Sequence, residues 1–154
     1  MQTSLIFDLN GVLVTKDSER YQVALSDPSI KAHELIESGY HALLACYEQK
    51  AARNLALYVL SNSGERTWKM LVRHHGQLLS LFDGIITSSM VGFKKPDARI
   101  FHTLLQKYAI DPAHGYFIDD DLAHIQTAQE LGLVGIHVVP NMNLLEELRA
   151  RAII

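Results

Sequence analysis

Short, unbroken apolar runs alternate along this chain with longer stretches in which apolar residues recur every three or four positions. Ser4 to Phe7, Leu55 to Leu60, Gly84 to Thr87, Tyr116 to Ile118 and Val134 to Val139 are brief, apolar and rich in branched or aromatic side chains, so they read as buried strands. Between them, Ala98 to Tyr108 sets Ile100, Leu104, Leu105 and Tyr108 on one helical stripe. Leu122 to Leu131 does the same with Leu122, Ile125, Ala128 and Leu131. Asn143 to Ala152 reads as a last helix with Asn143 as its N-cap. Strands alternating with helices predict an α/β fold, a parallel sheet of about five strands covered on both faces.

One region departs from the alternation. Residues 16–39 carry no strand pattern and read as two short helices inserted after the first strand. Asp27-Pro28 is expected to start the second of these, Asp27 as N-cap and Pro28 at the first helical position, and Ser38-Gly39 to mark another break. The remainder reads as one domain, 1–154.

Parallel sheets bind ligands outside the carboxyl ends of their strands, near a switch in strand order. Polar residues should therefore gather just after the strands, and they do. Asp8 follows the first, Ser61 the second and Asp119-Asp120 the fourth, while Lys94-Lys95 lies in the loop after the third.

Composition narrows the function. With 48% hydrophobic and 20% charged residues, 154 residues suffice for a packed core. A net charge of −3 disfavours a nucleic-acid partner, which would need a basic face. Cys46 is the only cysteine, lies in an apolar stretch and reads as core. No apolar run has the length of a signal-peptide core or a membrane span, so no membrane partner is expected and the cytoplasm is the default location.

Four segments carry candidate chemistry. In Phe7-Asp8-Leu9-Asn10-Gly11, a carboxylate at a strand end precedes a glycine turn, an arrangement that aims a nucleophile into the crevice and is also a common turn. In Leu60-Ser61-Asn62-Ser63-Gly64, the Ser61 hydroxyl and the N–H groups of the next turn, from Asn62 onward, suit phosphate oxygens; the alternative is an N-cap. There is no Gly-x-Ser-x-Gly, which sets aside a serine-hydrolase elbow. Lys94-Lys95-Pro96-Asp97 holds Lys95 in extended backbone, ready to bind a phosphate or orient a carboxylate. Finally, Asp119-Asp120-Asp121 crowds three carboxylates at one strand end, a repulsion that a hard cation such as Mg²⁺ relieves. Of the eight histidines, His74-His75 reads as a solvated helix end, and His124 as a residue one turn past Asp120 that could face the mouth of the site.

In order and spacing these segments resemble the haloacid dehalogenase (HAD) superfamily, and in particular the branch of sugar-phosphate phosphatases such as glucose-1-phosphate phosphatase. The likeness is densest from Phe82 to Val138, through Phe82-Asp83-Gly84, Val91-Gly92, Lys95-Pro96-Asp97, Ile100-Phe101, Phe117-Ile118-Asp119-Asp120 and Leu131-Gly132. It implies a Rossmann-like three-layer sandwich and a Mg²⁺-dependent phosphatase acting on a phosphorylated substrate. Asp8 would be the nucleophile, forming an aspartyl-phosphate. Ser61, Asn62 and Lys95 would bind the phosphoryl group. Asp8, the Asn10 carbonyl and Asp120 would hold Mg²⁺, with Asp119 close by, through a water or by positioning Lys95.

Two departures stand out. The family's phosphatases carry a second aspartate, the general acid and base, where this chain has Asn10; an amide hydrogen-bonds but does not exchange protons at neutral pH. The large helical cap of the relatives is reduced to residues 16–39, which implies an open site, a large substrate or a second copy of the chain covering it. Asn10 makes a phosphate-binding pseudo-phosphatase the competing reading. A phospho-receiver domain is excluded by order, because its lysine follows its acids in sequence, whereas Lys95 precedes Asp119.

Overall fold

A computed structural model describes all residues, Met1–Ile154. In chain order its elements are β1 (Thr3–Phe7), α1 (Ser18–Ser26), α2 (Glu37–Gln49), β2 (Leu55–Ser61), α3 (Glu65–Leu79), β3 (Gly84–Thr87), α4 (Ser88–Val91), α5 (Ala98–Lys107), β4 (Gly115–Asp119), α6 (Leu122–Glu130), β5 (Val134–His137) and α7 (Leu144–Ala150). The strands form one parallel sheet in the order β3-β2-β1-β4-β5.

Period-two alternation divides the buried strands between two cores. Leu5, Phe7, Leu57 and Val59 face α2, α3 and α7 through Leu43, Cys46, Leu71 and Leu148. Ile6, Tyr58, Leu60 and Phe117 face α5 and α6 through Ile100, Phe101, Leu104 and Ile125. The expected three layers are present. Cys46 is fully buried, and burial pushes its thiol up to about 12. Leu122 leaves its predicted stripe: as the first residue after the Asp121 cap it stays exposed. β5 stops at His137, two residues early, although the Val138 N–H still reaches the Asp119 carbonyl at 2.9 Å.

The insertion folds differently from expectation. It contains one helix, not two. Asp27 closes α1 instead of opening a helix, and its carboxylate accepts from the Ser29 N–H and hydroxyl at 3.0 and 2.7 Å to form a turn. Ser38-Gly39 is no break either, because both lie in the first turn of α2. Gly39 is needed for close approach: a Cβ there would stand 1.9 Å from the Val12 carbonyl oxygen. Ser38 ties α2 to α7, accepting from the Leu144 N–H at 2.9 Å and donating to the Met142 carbonyl at 3.1 Å.

The chain winds from β1 outward to β2 and β3, then crosses over to β4 on the other side of β1. The switch in strand order thus falls between β1 and β4, and the residues after these two strands, Asp8 and Asp119-Asp120, share one crevice.

Candidate active site

Asp8, Asp119 and Asp120 converge at the switch point: one carboxylate oxygen of each lies within 4.8 Å of the others. Asp8 and Asp119 are buried and Asp120 is partly exposed. Three anions this close are tolerable only with cations among them.

Lys95 is the first such cation. Its side chain is wholly buried, and its ammonium reaches Asp8 Oδ1 at 2.9 Å, Asp119 Oδ2 at 2.6 Å and the Leu60 carbonyl at 2.8 Å. Its hydrogen bonds go to Asp119 and the Leu60 carbonyl, and Asp8 is held as an ion pair. Lys95 therefore orients the two carboxylates, one of the two roles its sequence context allowed. Asn62 acts on the same lysine. Its amide accepts from the Lys95 N–H at 2.7 Å and donates to the Lys95 carbonyl at 2.9 Å. That commitment leaves the Asn62 backbone N–H, the group its turn was expected to offer to phosphate, outside the clamp. The Ser61 hydroxyl is buried at the end of β2, 2.9 Å from the Ser63 hydroxyl.

Burial pushes the Asp8 carboxyl up to about 6, against the opposing charge of Lys95 and with a further rise from Asp119. Burial would raise Asp119 as well. There the His124 hydrogen bond, Lys95 and the Asp121 N–H together prevail and hold the carboxyl below its ordinary range. His124 Nδ1 is 3.0 Å from Asp119 Oδ2, so this histidine braces the buried acid instead of facing the mouth. His75 also departs from expectation: it is buried, its Nε2 2.8 Å from the His33 carbonyl, where the insertion docks on α3.

Two further groups escaped the sequence reading. Lys16, at the start of the insertion, places its ammonium 2.8 and 2.7 Å from the two oxygens of Asp120. His137 Nε2 lies 3.2 Å from the Asp120 carbonyl. Nothing local announces either contact, since Lys16 and Asp120 are 104 positions apart. Gly11 makes room for the first of them. Its φ is +92°, and a Cβ would fall 2.4 Å from Asp120 Oδ2 and 2.8 Å from the Lys16 side chain. Asn10 lines a cavity of about 310 Å³ with Lys16, Tyr21, His33 and Thr67, under the insertion.

The donor set suits a hard divalent cation: carboxylate oxygens at one sheet edge, with no sulfur and no histidine nitrogen in the cluster. Asp119 has both oxygens engaged, Oδ2 by Lys95 and His124 and Oδ1 by the Asp121 N–H at 2.8 Å. Asp8 Oδ2 makes no ion pair, and Asp120 is held only by the half-exposed Lys16.

Comparison with known proteins places this geometry. Among solved structures, a HAD family enzyme from Bacteroides thetaiotaomicron, BT-2542, superposes with a TM-score of 0.78 at 20% identity, covering 96% of this chain and 98% of that one. The same enzyme in complex with magnesium and inorganic phosphate gives 0.75 at 17% identity, over 97% of this chain and all of the other. A sesquiterpene phosphatase of Aspergillus oryzae, astK, is 31% identical over 97 residues, 63% of this chain and 49% of its own length. The mouse haloacid dehalogenase-like hydrolase domain-containing protein 3 is 32% identical over 105 residues, 65% of this chain and 38% of its own. The chain thus spans about half, or less, of the length of these curated relatives. No helix is long and apolar enough to cross a membrane. The family model for haloacid dehalogenase-like hydrolases matches residues 33–132, well over half of the chain and the part that holds Ser61, Lys95, Asp119 and Asp120, and the chain belongs to that family.

Proposed function

We propose that the chain is a Mg²⁺-dependent phosphomonoesterase that works through an aspartyl-phosphate on Asp8, with Asn10 slowing its turnover. The observation that carries this reading is Asp8 itself. It is buried at the switch point, held through Oδ1 by a lysine that is itself pinned to Asp119, with Oδ2 left to attack. The magnesium and phosphate in the structural relative, and the phosphatase named among the sequence relatives, support the same chemistry.

In this reading Asp8, Asp120 and the Asn10 carbonyl would hold Mg²⁺, which would draw charge from the phosphoryl oxygens. Asp8 Oδ2 attacks phosphorus, and the ester P–O bond breaks with its electron pair on the departing oxygen. Ser61 and the Asn62 N–H steady the phosphoryl group. Lys95 keeps Asp8 aligned and offsets its repulsion of an anionic substrate. Asn10 can donate a hydrogen bond to the departing oxygen but no proton. Water then attacks the phosphorus of the aspartyl-phosphate, the acyl P–O bond breaks and Asp8 is regenerated. That water must lose a proton, and Asn10 cannot take it.

Breakdown therefore lags formation. With an activated aryl phosphate, which needs no acid for its first step, intact-mass measurement should show one phosphoryl group added during turnover and none in Asp8→Asn. Asn10→Asp should raise the rate about 10²-fold or more, the size of a restored general base. An unchanged rate together with no adduct would leave the second reading, a pseudo-phosphatase that binds phosphate in Mg²⁺ without turning it over, which Asn10 favours.

Residues 16–39 act as a reduced cap, roofing one side of the site and leaving it open to a phosphorylated metabolite, a larger phosphorylated partner or a second copy of the chain. The motif likeness to sugar-phosphate phosphatases puts hydroxylated phosphate esters first in a substrate screen. The sesquiterpene phosphatase adds a sesquiterpenyl phosphate to it.

A further inference from the structure

Lys16 is the one cation of the site that the proposed chemistry does not use. Its ammonium grips both oxygens of Asp120, so it occupies the carboxylate that a divalent ion would need. It is half-exposed and carried by the loop that enters the insertion, whereas Lys95 is sealed in the core. The charge count is informative. Lys95 and Lys16 each set one positive charge against the three carboxylates. A divalent ion at Asp120 would stand a few ångströms from the Lys16 ammonium, which already spans both oxygens of that carboxylate. Like charges a few ångströms apart repel by several kcal/mol even at an effective dielectric of about 20. One of the two must therefore leave Asp120. Lys16 has somewhere to go: it lines the cavity it shares with Asn10, Tyr21 and Thr67, and only its own ammonium ties it to the core acids.

We infer that Lys16 is a tethered counter-cation, which holds Asp120 while no metal is bound, competes with Mg²⁺ for it and is displaced when Mg²⁺ binds. In this way the insertion sets the metal affinity of the core. The inference rests on the metal reading above.

Titration calorimetry with MgCl₂ on the full chain, without substrate, tests both and separates them. Lys16→Met, which keeps the length of the side chain and loses its charge, should bind Mg²⁺ about two- to fivefold tighter than the parent, the scale of one lost surface ion pair. Lys16→Arg keeps the competitor and should bind no tighter than the parent. In thermal melts, saturating Mg²⁺ should raise the Tm of Lys16→Met more than that of the parent, and melts of both variants without metal check that they fold. Equal or weaker binding by Lys16→Met overturns the inference and leaves the metal site standing. Equal tightening by Met and Arg also overturns it, because charge would then not be the cause. Absence of Mg²⁺ binding in parent and variants alike overturns the metal reading, and this inference with it.

Discussion

Two lysines meet the same cluster of acids, and the difference between them is instructive. Lys95 is fully buried, donates to Asp119 and the Leu60 carbonyl, pairs with Asp8 and has its backbone clamped on both sides by the Asn62 amide. Lys16 is half-exposed and makes a single forked pair with Asp120. The first is held by tertiary packing at every atom, so it can only position its neighbours. The second rests on solvent-screened attraction and is free to exchange. Burial therefore separates a fixed charge from a replaceable one, even though the residue type and the partner type are the same.

The sharpest way to break this comparison is to remove each lysine in turn. Lys95→Met leaves Asp8 and Asp119 buried and facing each other without a cation, and should cost about 3–5 kcal/mol in urea unfolding and abolish turnover. An intermediate effect of opposite sign is expected at Asp8. Its carboxyl is raised from the ordinary 3.8 to about 6, so the folded state binds the proton more tightly than the unfolded chain does. The resulting stability is present below pH 4 and lost as pH rises through about 6. At pH 7.5 without metal, Asp8→Asn should therefore unfold later than the parent, by about 1–3 kcal/mol, while Lys95 keeps Asp119 as its partner. The gap should close as pH falls from 6 to 4, and a gap independent of pH would show that Asp8 is not the group responsible. The smallest effect belongs to Lys16→Met, which should change metal-free stability by about 0–1 kcal/mol. A loss as large as that of Lys95→Met would erase the distinction drawn here.

What could be seen in the sequence followed from local chemistry. Each buried strand shows its own apolar run, and the Asn143 cap precedes its helix by one residue. Asp8, Ser61, Lys95, Asp119 and Asp120 stand out because a parallel sheet displays whatever follows its strands. The insertion was harder to read. Asp27 before Pro28 is equally good chemistry for ending one helix as for starting another, and the bonds to Ser29 decide for the turn. His75 looked solvated beside His74, yet the insertion folds back over it and its ring meets the His33 carbonyl.

By itself, then, the sequence determined the alternation of strands and helices, the two faces of the sheet and the set of residues at its carboxyl edge, since each depends on neighbours a few positions away. Tertiary structure alone decided what those residues do to one another. That Lys95 joins Asp8 to Asp119, that Asn62 clamps the Lys95 backbone, that His124 braces Asp119 and that Lys16 reaches Asp120 all depend on crossovers that join distant segments at the switch point. The direction of a side chain across such a gap is set by packing in three dimensions, and no period along the chain encodes it.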